Sequence, residues 1–427
     1  MMLKAEQNER ITRVGPGTPM GELMRRYWQP IAAKQELIEK RTKAIRVLGE
    51  DLVLFRDRQG KLGLIDRVCP HRRVDLVHCS VPEDGGLRCA YHGWMYDHTG
   101  QCVEQPFEEV ANPDANFKAR TKIAGYPVEE LAGLVWAYLG PQPAPLLPRW
   151  EPLVVENSVR DICITNLACN WLQCQENSLD PVHVEWMHRY FGDWVNQEKQ
   201  GNFDMSGGVN NVQRHQKIGF DEFPHGIIKR RVLAGYTEED DDWKHGHPVL
   251  FPHILVVGND YQVTMQFRVP VDDENTLHFS LYTWRAAPGK TAPVQATPPY
   301  RYVKIRTDEG EWIRDKVFNQ DYMAWETQGP IAKRHLERLG ASDMGVIMFR
   351  QQLDREIQKV EAGQDPMNVF RDPVANTSIE VPLEHVKFGA AAPPPKYTPG
   401  EDGYSRDAEL IEAVLDTWRV PELAVTH

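Results

Sequence analysis

Acidic residues outnumber basic ones by 61 to 49 over 427 residues, a formal net charge of −12, which argues against nucleic acid or an anionic membrane as the main partner. At 41% hydrophobic and 26% charged, the chain has the composition of an ordinary globular protein, long enough for two or three domains. The opening MMLKAEQNERITRVG lacks the apolar core of a secretion signal, and the longest aliphatic runs, such as ILVV at 254–257, fall far short of a membrane span, so a cytoplasmic protein is expected.

From about 45 to 140 the chain reads as short strands (AIRVLG, LVLFRD, LGLID, LRCAY, GLVWAYLG) separated by turn signals such as DRQG, EDGG and HTG, the rhythm of a small antiparallel β-domain. All seven cysteines lie in the first 174 residues; in a reducing compartment disulfides are not expected, and metal ligation is the better use for at least two of them. Within the β-domain stand Cys69-x-His71 and, 17 residues later, Cys89-x-x-His92. A zinc finger normally groups two cysteines and then two histidines. One thiolate and one imidazole per loop instead suits a two-iron cluster, the thiolates on one iron and the imidazoles on the other. Neutral imidazoles raise such a cluster's potential to roughly −150 to +300 mV, against about −400 mV for the all-cysteine plant type. Cys79 reads as a free thiol, and His78 and His98 as surface residues without partners at ligand spacing.

PQPAPLLPRWEP (141–152), with four prolines in its first eight residues, breaks both periodicities and marks a domain boundary. Beyond it, positions 170–188 read NWLQCQENSLDPVHVEWMH, containing Asp180-x-x-His183-x4-His188. Two histidines and a distant carboxylate would leave three positions of Fe(II) open. Residues five apart on a regular helix differ by about 140° in direction, so His183 and His188 can converge only if the helix bulges or unwinds between them. Strands are expected at 226–233, 261–271 and 276–284, and helices at 181–190, 343–361 and 405–418, where Ser405 can cap. In GIIKRRVL, alternation puts Lys229 and Arg231 on one face and Arg230 on the other; a cation facing a pocket could pair with an aromatic carboxylate, so Arg230 and Arg231 are substrate candidates. The third iron ligand must come from far along the chain, with Asp343 as first candidate and Glu337 and Asp354 competing. RAAPGKTAPVQATPP and GAAAPPPKYTPG read as surface loops. His245-x-His247 has metal-like spacing without a carboxylate or cysteine context. The glycines of VGPGTP (14–19) do not form a dinucleotide fingerprint, so no dinucleotide site is expected on this chain.

The C-P-H-R and C-x-Y-H-G-W segments resemble the Rieske [2Fe–2S] domain, and Asp180-x-x-His183-x4-His188 resembles the mononuclear iron motif of Rieske non-haem iron oxygenases. The Ser342-Asp343-x-Gly345 segment followed by x4-Arg also matches, and Q-D-Y-M-A-W-E-T-Q-G-P is similar to the phthalate dioxygenase branch. The likeness runs from about residue 9 to 385. It implies an α+β chain: an N-terminal segment (1–26) packed on the catalytic domain, a small antiparallel β Rieske domain (27–142), and a larger helix-grip-like catalytic domain (143–427) with a curved antiparallel sheet and helices. It further implies that Cys69, His71, Cys89 and His92 hold the cluster and that His183, His188 and Asp343 hold one Fe(II). Asn177 would lie near the iron, and the Asp180 carboxylate would link His183 to His92, across subunits of a homotrimer or dimer of trimers. The function that the resemblance implies is a terminal oxygenase that uses O2 and NAD(P)H-derived electrons to hydroxylate or cis-dihydroxylate an aromatic, carboxylated substrate, the NAD(P)H acting indirectly through a separate reductase carrying flavin and a plant-type [2Fe–2S] cluster. The alternatives are an O-demethylase monooxygenase on a methoxylated aromatic acid and a Rieske electron carrier.

Overall fold

Turn chemistry sets the pairing of the first strands. Leu48 and Gly49 both adopt positive φ (50° and 80°), the two-residue turn whose twist matches a tight hairpin, and Val47 consequently pairs with Glu50. In the computed structural model, residues 3–201, 213–385, 396–397 and 405–419 are described. In chain order the strands are β1 (Trp28–Ala33), β2 (Thr42–Val47), β3 (Glu50–Arg56), β4 (Leu62–Asp66), β5 (Leu87–Arg88), β6 (Met95–Tyr96), β7 (Cys102–Glu104), β8 (Gly125–Tyr126), β9 (Val128–Leu131) and β10 (Leu134–Tyr138). They form three small antiparallel sheets, β1-β10-β9, β2-β3-β4-β8 and β5-β6-β7.

After the proline-rich stretch come β11 (Ser158–Leu167), β12 (His215–Phe223), β13 (Gly226–Leu233), β14 (His247–Leu250), β15 (Ile254–Gly258), β16 (Gln262–Pro270), β17 (Thr276–Arg285) and β18 (Tyr300–Tyr302). They build one sheet in the order β12-β13-β14-β15-β16-β17-β11-β18, antiparallel except for the β11–β18 pair. The strands at 226–233, 261–271 and 276–284 therefore appear within a residue of their expected bounds.

Helix Met344–Glu361 buries Val346, Phe349, Leu353, Ile357 and Val360, an apolar stripe at spacings of three and four that belongs to the main core. The helix expected at 405–418 spans Ala408–Asp416, with Ser405 Oγ accepting the Asp407 N–H (3.1 Å) and Ile411, Val414 and Leu415 packed on Val159 and Trp284. Most of GAAAPPPKYTPG lies outside the described residues.

The N-terminal helices lie against the catalytic sheet's supports. Asn8 donates to the Ala332 carbonyl (2.9 Å) and accepts from Arg334 (3.2 Å), while Asn170 donates to the Thr12 carbonyl (3.0 Å). Beneath them Glu176 is buried between Arg334 (2.8 Å) and Arg350 (2.6 Å), and Arg350 reaches on to Glu337 (2.9 Å). Burial opposes the Glu176 charge, but the two guanidiniums outweigh it and hold the carboxyl below its usual range. This network fixes helix Trp171–Asn177, whose last residue enters the site described next.

Candidate metal centres and substrate cavity

Two loops present the first constellation. One runs from β4 through Cys69 and His71, where the Arg73 N–H returns to the Cys69 carbonyl (2.9 Å) with Arg73 in the left-handed region. The other runs from β5 to β6, where Gly93 at φ +75° lets its N–H reach the Cys89 carbonyl (3.0 Å) and the Cys89 N–H reach the Trp94 carbonyl (2.8 Å). Cys69 and Cys89 are buried among Val53, Phe55, Trp94 and Tyr96, while His71 and His92 are exposed with ring centroids 4.4 Å apart. Trp94 stacks on His71 (4.5 Å, 7°), and the Tyr96 hydroxyl lies 3.2 Å from Cys69 Sγ. Two thiols inside and two imidazoles at the rim are the donor set of a mixed-ligand two-iron cluster, with the imidazole side turned outward.

Cys79 stays out of the set: its Sγ receives the Ala90 N–H (3.3 Å), and burial pushes the thiol up to about 11. His78 is exposed as expected, but His98 is not a surface residue; it lies 2.9 Å from the Asp57 carboxylate and stacks on Phe55.

The second constellation is carried by an irregular helix. Val184–Phe191 is a π-helix, continued by the α-helix Gly192–Gln200. Its wider turn brings residues five apart onto one side, which the spacing of His183 and His188 requires. Their rings lie 5.1 Å apart, and both Nε2 atoms point at Asp321 Oδ1, at 3.7 and 3.3 Å. His183, His188 and Asp321 each offer one ligand atom within 4.8 Å of the others, a 2-His-1-carboxylate set that fits a divalent iron. Burial opposes the Asp321 charge, but His188, His183 and the Asn177 amide, which donates at 3.1 Å, keep the carboxyl below its usual range.

This corrects the third ligand. Asp343 does not belong to this set: its carboxylate accepts the Gly340 N–H (2.6 Å) at the start of helix Met344–Glu361. The helix-start role weighed for an acidic residue there accounts for it. Glu337 is committed to Arg350, and Asp354 lies 3.5 Å from Arg10. Asp321 sits on helix Val317–Thr327, inside the QDYMAWETQGP run, and its signal was three consecutive polar residues, Asn319-Gln320-Asp321, all buried between Phe318 and Tyr322. Asp180 is corrected too. His183 Nδ1 donates to the Asp180 main-chain carbonyl (2.6 Å), not to its carboxylate, which lies 3.7 Å away and accepts the Val182 N–H (2.8 Å). The other ligand, His188, has its Nδ1 3.0 Å from the side-chain oxygen of Gln320, whose amide nitrogen is held by the Arg314 carbonyl (2.8 Å). Two neutral oxygen acceptors thus fix both imidazoles with Nε2 turned inward.

Beside this set opens a cavity of about 590 Å³, with Val184, Leu255, Val257, Val317 and Phe318 among its apolar walls. Arg230 does not face it: it binds Asp221 (2.6 Å) and the Trp243 and Lys244 carbonyls on the outside. Its neighbours do, because alternation on β13 turns Lys229 and Arg231 inward, both buried. His245 and His247 separate in the same way: His245 bonds Asp241, while His247 lines the cavity and bonds Glu384.

Among the described residues no helix is long and apolar enough to cross a membrane. Residues 27–120 match the Rieske [2Fe–2S] domain family, and residues 249–381 match the LigXa C-terminal domain like family. The chain is 44% identical over 384 residues to the 5,5'-dehydrodivanillate O-demethylase oxygenase subunit of Sphingobium sp. (strain NBRC 103272 / SYK-6), covering 90% of this chain and 87% of that one. It is 31% identical over 401 residues to the phthalate 4,5-dioxygenase oxygenase subunit of Pseudomonas putida, covering 85% and 88%. In fold it resembles Pseudomonas putida CBB5 NdmA with caffeine (TM-score 0.59, 19% identity, 80% of this chain and 93% of that chain). It also resembles a chain of the reduced complex between oxygenase and ferredoxin in carbazole 1,9a-dioxygenase (TM-score 0.58, 18% identity, 88% and 97%). Two loops built for a [2Fe–2S] cluster, a three-residue iron set beside a cavity, and relatives matching along nearly the whole length lead to one conclusion: the chain belongs to the Rieske non-haem iron oxygenases, as an oxygenase component that carries a Rieske cluster and a mononuclear iron and takes its electrons from a separate protein.

Proposed function

We propose that this chain is the oxygenase component of an O-demethylase acting on a methoxylated aromatic acid. The observation that carries the reading is the 44% identity, over 90% of the chain, with an oxygenase subunit whose name states O-demethylation of 5,5'-dehydrodivanillate. The cavity's volume of about 590 Å³ suits such a ligand, lying within the roughly 300–1,000 Å³ usual for small-molecule sites. The overall change is ArOCH3 + O2 + 2 H+ + 2 e− → ArOH + CH2O + H2O: one oxygen atom enters a methyl C–H bond, and the resulting hemiacetal releases formaldehyde as its hydroxyl proton is lost and the aryl oxygen is protonated.

The iron, when bound, supplies the activation of dioxygen, and the cluster supplies electrons. His183, His188 and Asp321 would hold the iron, Asn177 orienting the Asp321 carboxylate and Gln320 and the Asp180 carbonyl fixing the imidazole tautomers. Val184, Leu255, Val317 and Phe318 exclude water around the reacting methyl group. Cys69, Cys89, His71 and His92 would hold the cluster, with the exposed imidazole edge available to a neighbouring chain. The reading includes the division 1–26, 27–142 and 143–427, a homotrimer or dimer of trimers in which Asp180, holding His183 through its main-chain carbonyl, offers its carboxylate to the cluster of the next subunit, a flavin and plant-type [2Fe–2S] reductase, and a cytoplasmic setting.

Ring hydroxylation is the second reading, favoured by the 31% identity to a phthalate dioxygenase subunit. NADH-driven turnover with a surrogate reductase under labelled dioxygen separates the two. Formaldehyde in step with oxygen uptake, and a phenol keeping its aryl oxygen, are expected; a cis-diol or ring-hydroxylated product with the methoxyl intact overturns the demethylase reading.

A further inference from the structure

Gln262, Thr264, Gln266 and Arg268 alternate along β16 and all line the cavity, so one face of a single strand gives it a polar rail. Thr264 is 7% exposed, Gln266 5% and Arg268 1%. Donors this deeply buried are ordinarily taken up by acceptors, yet those of the rail are only partly used. Arg268 gives Nη1 to the Gln266 carbonyl (3.2 Å) and Nη2 to the Gln266 side-chain oxygen (2.8 Å), while its Nε meets no acceptor. Among the described residues the Gln266 amide nitrogen and the Thr264 hydroxyl make no hydrogen bond. The Arg268 charge is uncompensated as well: among the described residues no carboxylate stands at ion-pair distance from it. Asp321 acts on it only from further off, and that anion belongs to the iron set. Beside Arg268 stand the Trp325 ring (5.9 Å) and His278, its partner on β17, neutral because burial and the Arg268 charge hold its imidazole well below the usual range. Arg189, Lys229 and Arg231 line the cavity too, and each has partners of its own, Arg231 meeting Asp242 at 3.2 Å.

A buried charge without a counter-ion is strongly unfavourable, and an apolar side chain of similar volume would be the more stable choice at position 268. Burial pushes the guanidinium down to about 10, which leaves it cationic at neutral pH. Iron, when bound, takes up the charge of Asp321, so the anion that balances Arg268 has to arrive with a ligand. We propose that the β16 rail is a carboxylate subsite, in which the substrate's carboxylate accepts from the Arg268 guanidinium, the Gln266 amide and the Thr264 hydroxyl. Gln266, whose side-chain oxygen already holds Arg268, fixes the aim of the guanidinium. This rests on the reading of the substrate as an aromatic acid, and it places the acid group on β16 instead of at Arg230 or Arg231.

The test is calorimetric binding to the oxidised holoenzyme, without reductant and therefore without turnover, of 3-methoxybenzoate and its neutral isostere 3-methoxybenzamide. Wild type is expected to bind the acid at least about tenfold more tightly. Arg268→Met should weaken the acid by about 10- to 100-fold and the amide by less than about threefold. Thr264→Val, which keeps the shape of a side chain lying four residues from Arg268, should weaken the acid by about 3- to 10-fold. Arg230→Met should move neither ligand. Equal binding of acid and amide by wild type, a comparison needing no variant, overturns the subsite. So does equal weakening of both ligands by Arg268→Met, or a Thr264→Val enzyme that binds the acid as wild type does. Formaldehyde release is scored separately: an enzyme that prefers the acid yet releases none removes the demethylase reading and leaves the subsite standing, whereas demethylation of the amide with equal binding of both removes the subsite alone.

Discussion

Replacing Asp321 by asparagine, with Asp343→Asn as its control, asks which carboxylate completes the iron set. Asp321 is 7% exposed, its Oδ1 lies 3.3 Å from His188 Nε2 and 3.7 Å from His183 Nε2, and Asn177 donates to the same oxygen at 3.1 Å. Asparagine keeps the shape, removes the only anion of the set and offers a weaker donor. Losing a mere outer partner of a ligand costs about 10- to 100-fold in metal affinity, so losing the ligand should cost at least about 100-fold. Asp343 makes one hydrogen bond at a helix start, to the Gly340 N–H at 2.6 Å. Losing it should cost about 1 kcal/mol, a fall of roughly 1–2 °C in Tm for a chain of this length. Iron per chain after gel filtration, with the cluster's visible absorbance as reference, decides. Asp321→Asn should retain the cluster irons and lose the mononuclear one, while Asp343→Asn keeps both. The reverse pattern, with Asp343→Asn stripped of its mononuclear iron and Asp321→Asn intact, would refute the geometric argument.

Gln320→Leu should weaken Fe(II) binding by about 10- to 100-fold in equilibrium dialysis without altering the cluster spectrum, because His188 loses its Nδ1 acceptor; unchanged affinity would show that the π-helix alone aims the ring. Cys89→Ser should abolish the red-brown colour and the reduced-state EPR of the mixed-ligand cluster, and an unchanged spectrum would remove that assignment. Asp180→Asn should keep cluster and iron but lose most coupled turnover; mixing Cys89→Ser with His183→Ala chains should then restore about a quarter of wild-type activity per chain if electrons cross between subunits, and none if they do not. Glu176→Gln should destabilise the protein by about 3–5 kcal/mol in denaturant melts, since Arg334 and Arg350 lose their buried counter-charge. Glu176's folded-state pKa is depressed, so its contribution is complete above the unfolded carboxyl's value of about 4.3 and is lost as pH falls through the lower folded value; wild-type and Glu176→Gln stabilities should converge there.

Much of the site was written in local sequence because its parts are local devices. Each cluster loop carries its thiol, its imidazole and the residues that shape the turn, Gly93 among them, within a few positions. The five-residue step between His183 and His188 already excluded a regular helix, and a π-helix fills the gap. Strand alternation placed Lys229 and Arg231 opposite Arg230, and the cavity wall uses the two that point inward. What tertiary structure alone decided is which distant groups meet. Asp343 and Asp321 are both acids on helices far downstream of the histidines, and no local pattern ranks them; the packing of helix Val317–Thr327 beside the π-helix carries Asp321 to the imidazoles, while Asp343 opens a helix whose apolar stripe is committed to the core. Likewise, only the folded chain brings Glu384 to His247 and Asp242, because a contact across 137 residues depends on where β14 and the returning segment meet, which periodicity does not encode.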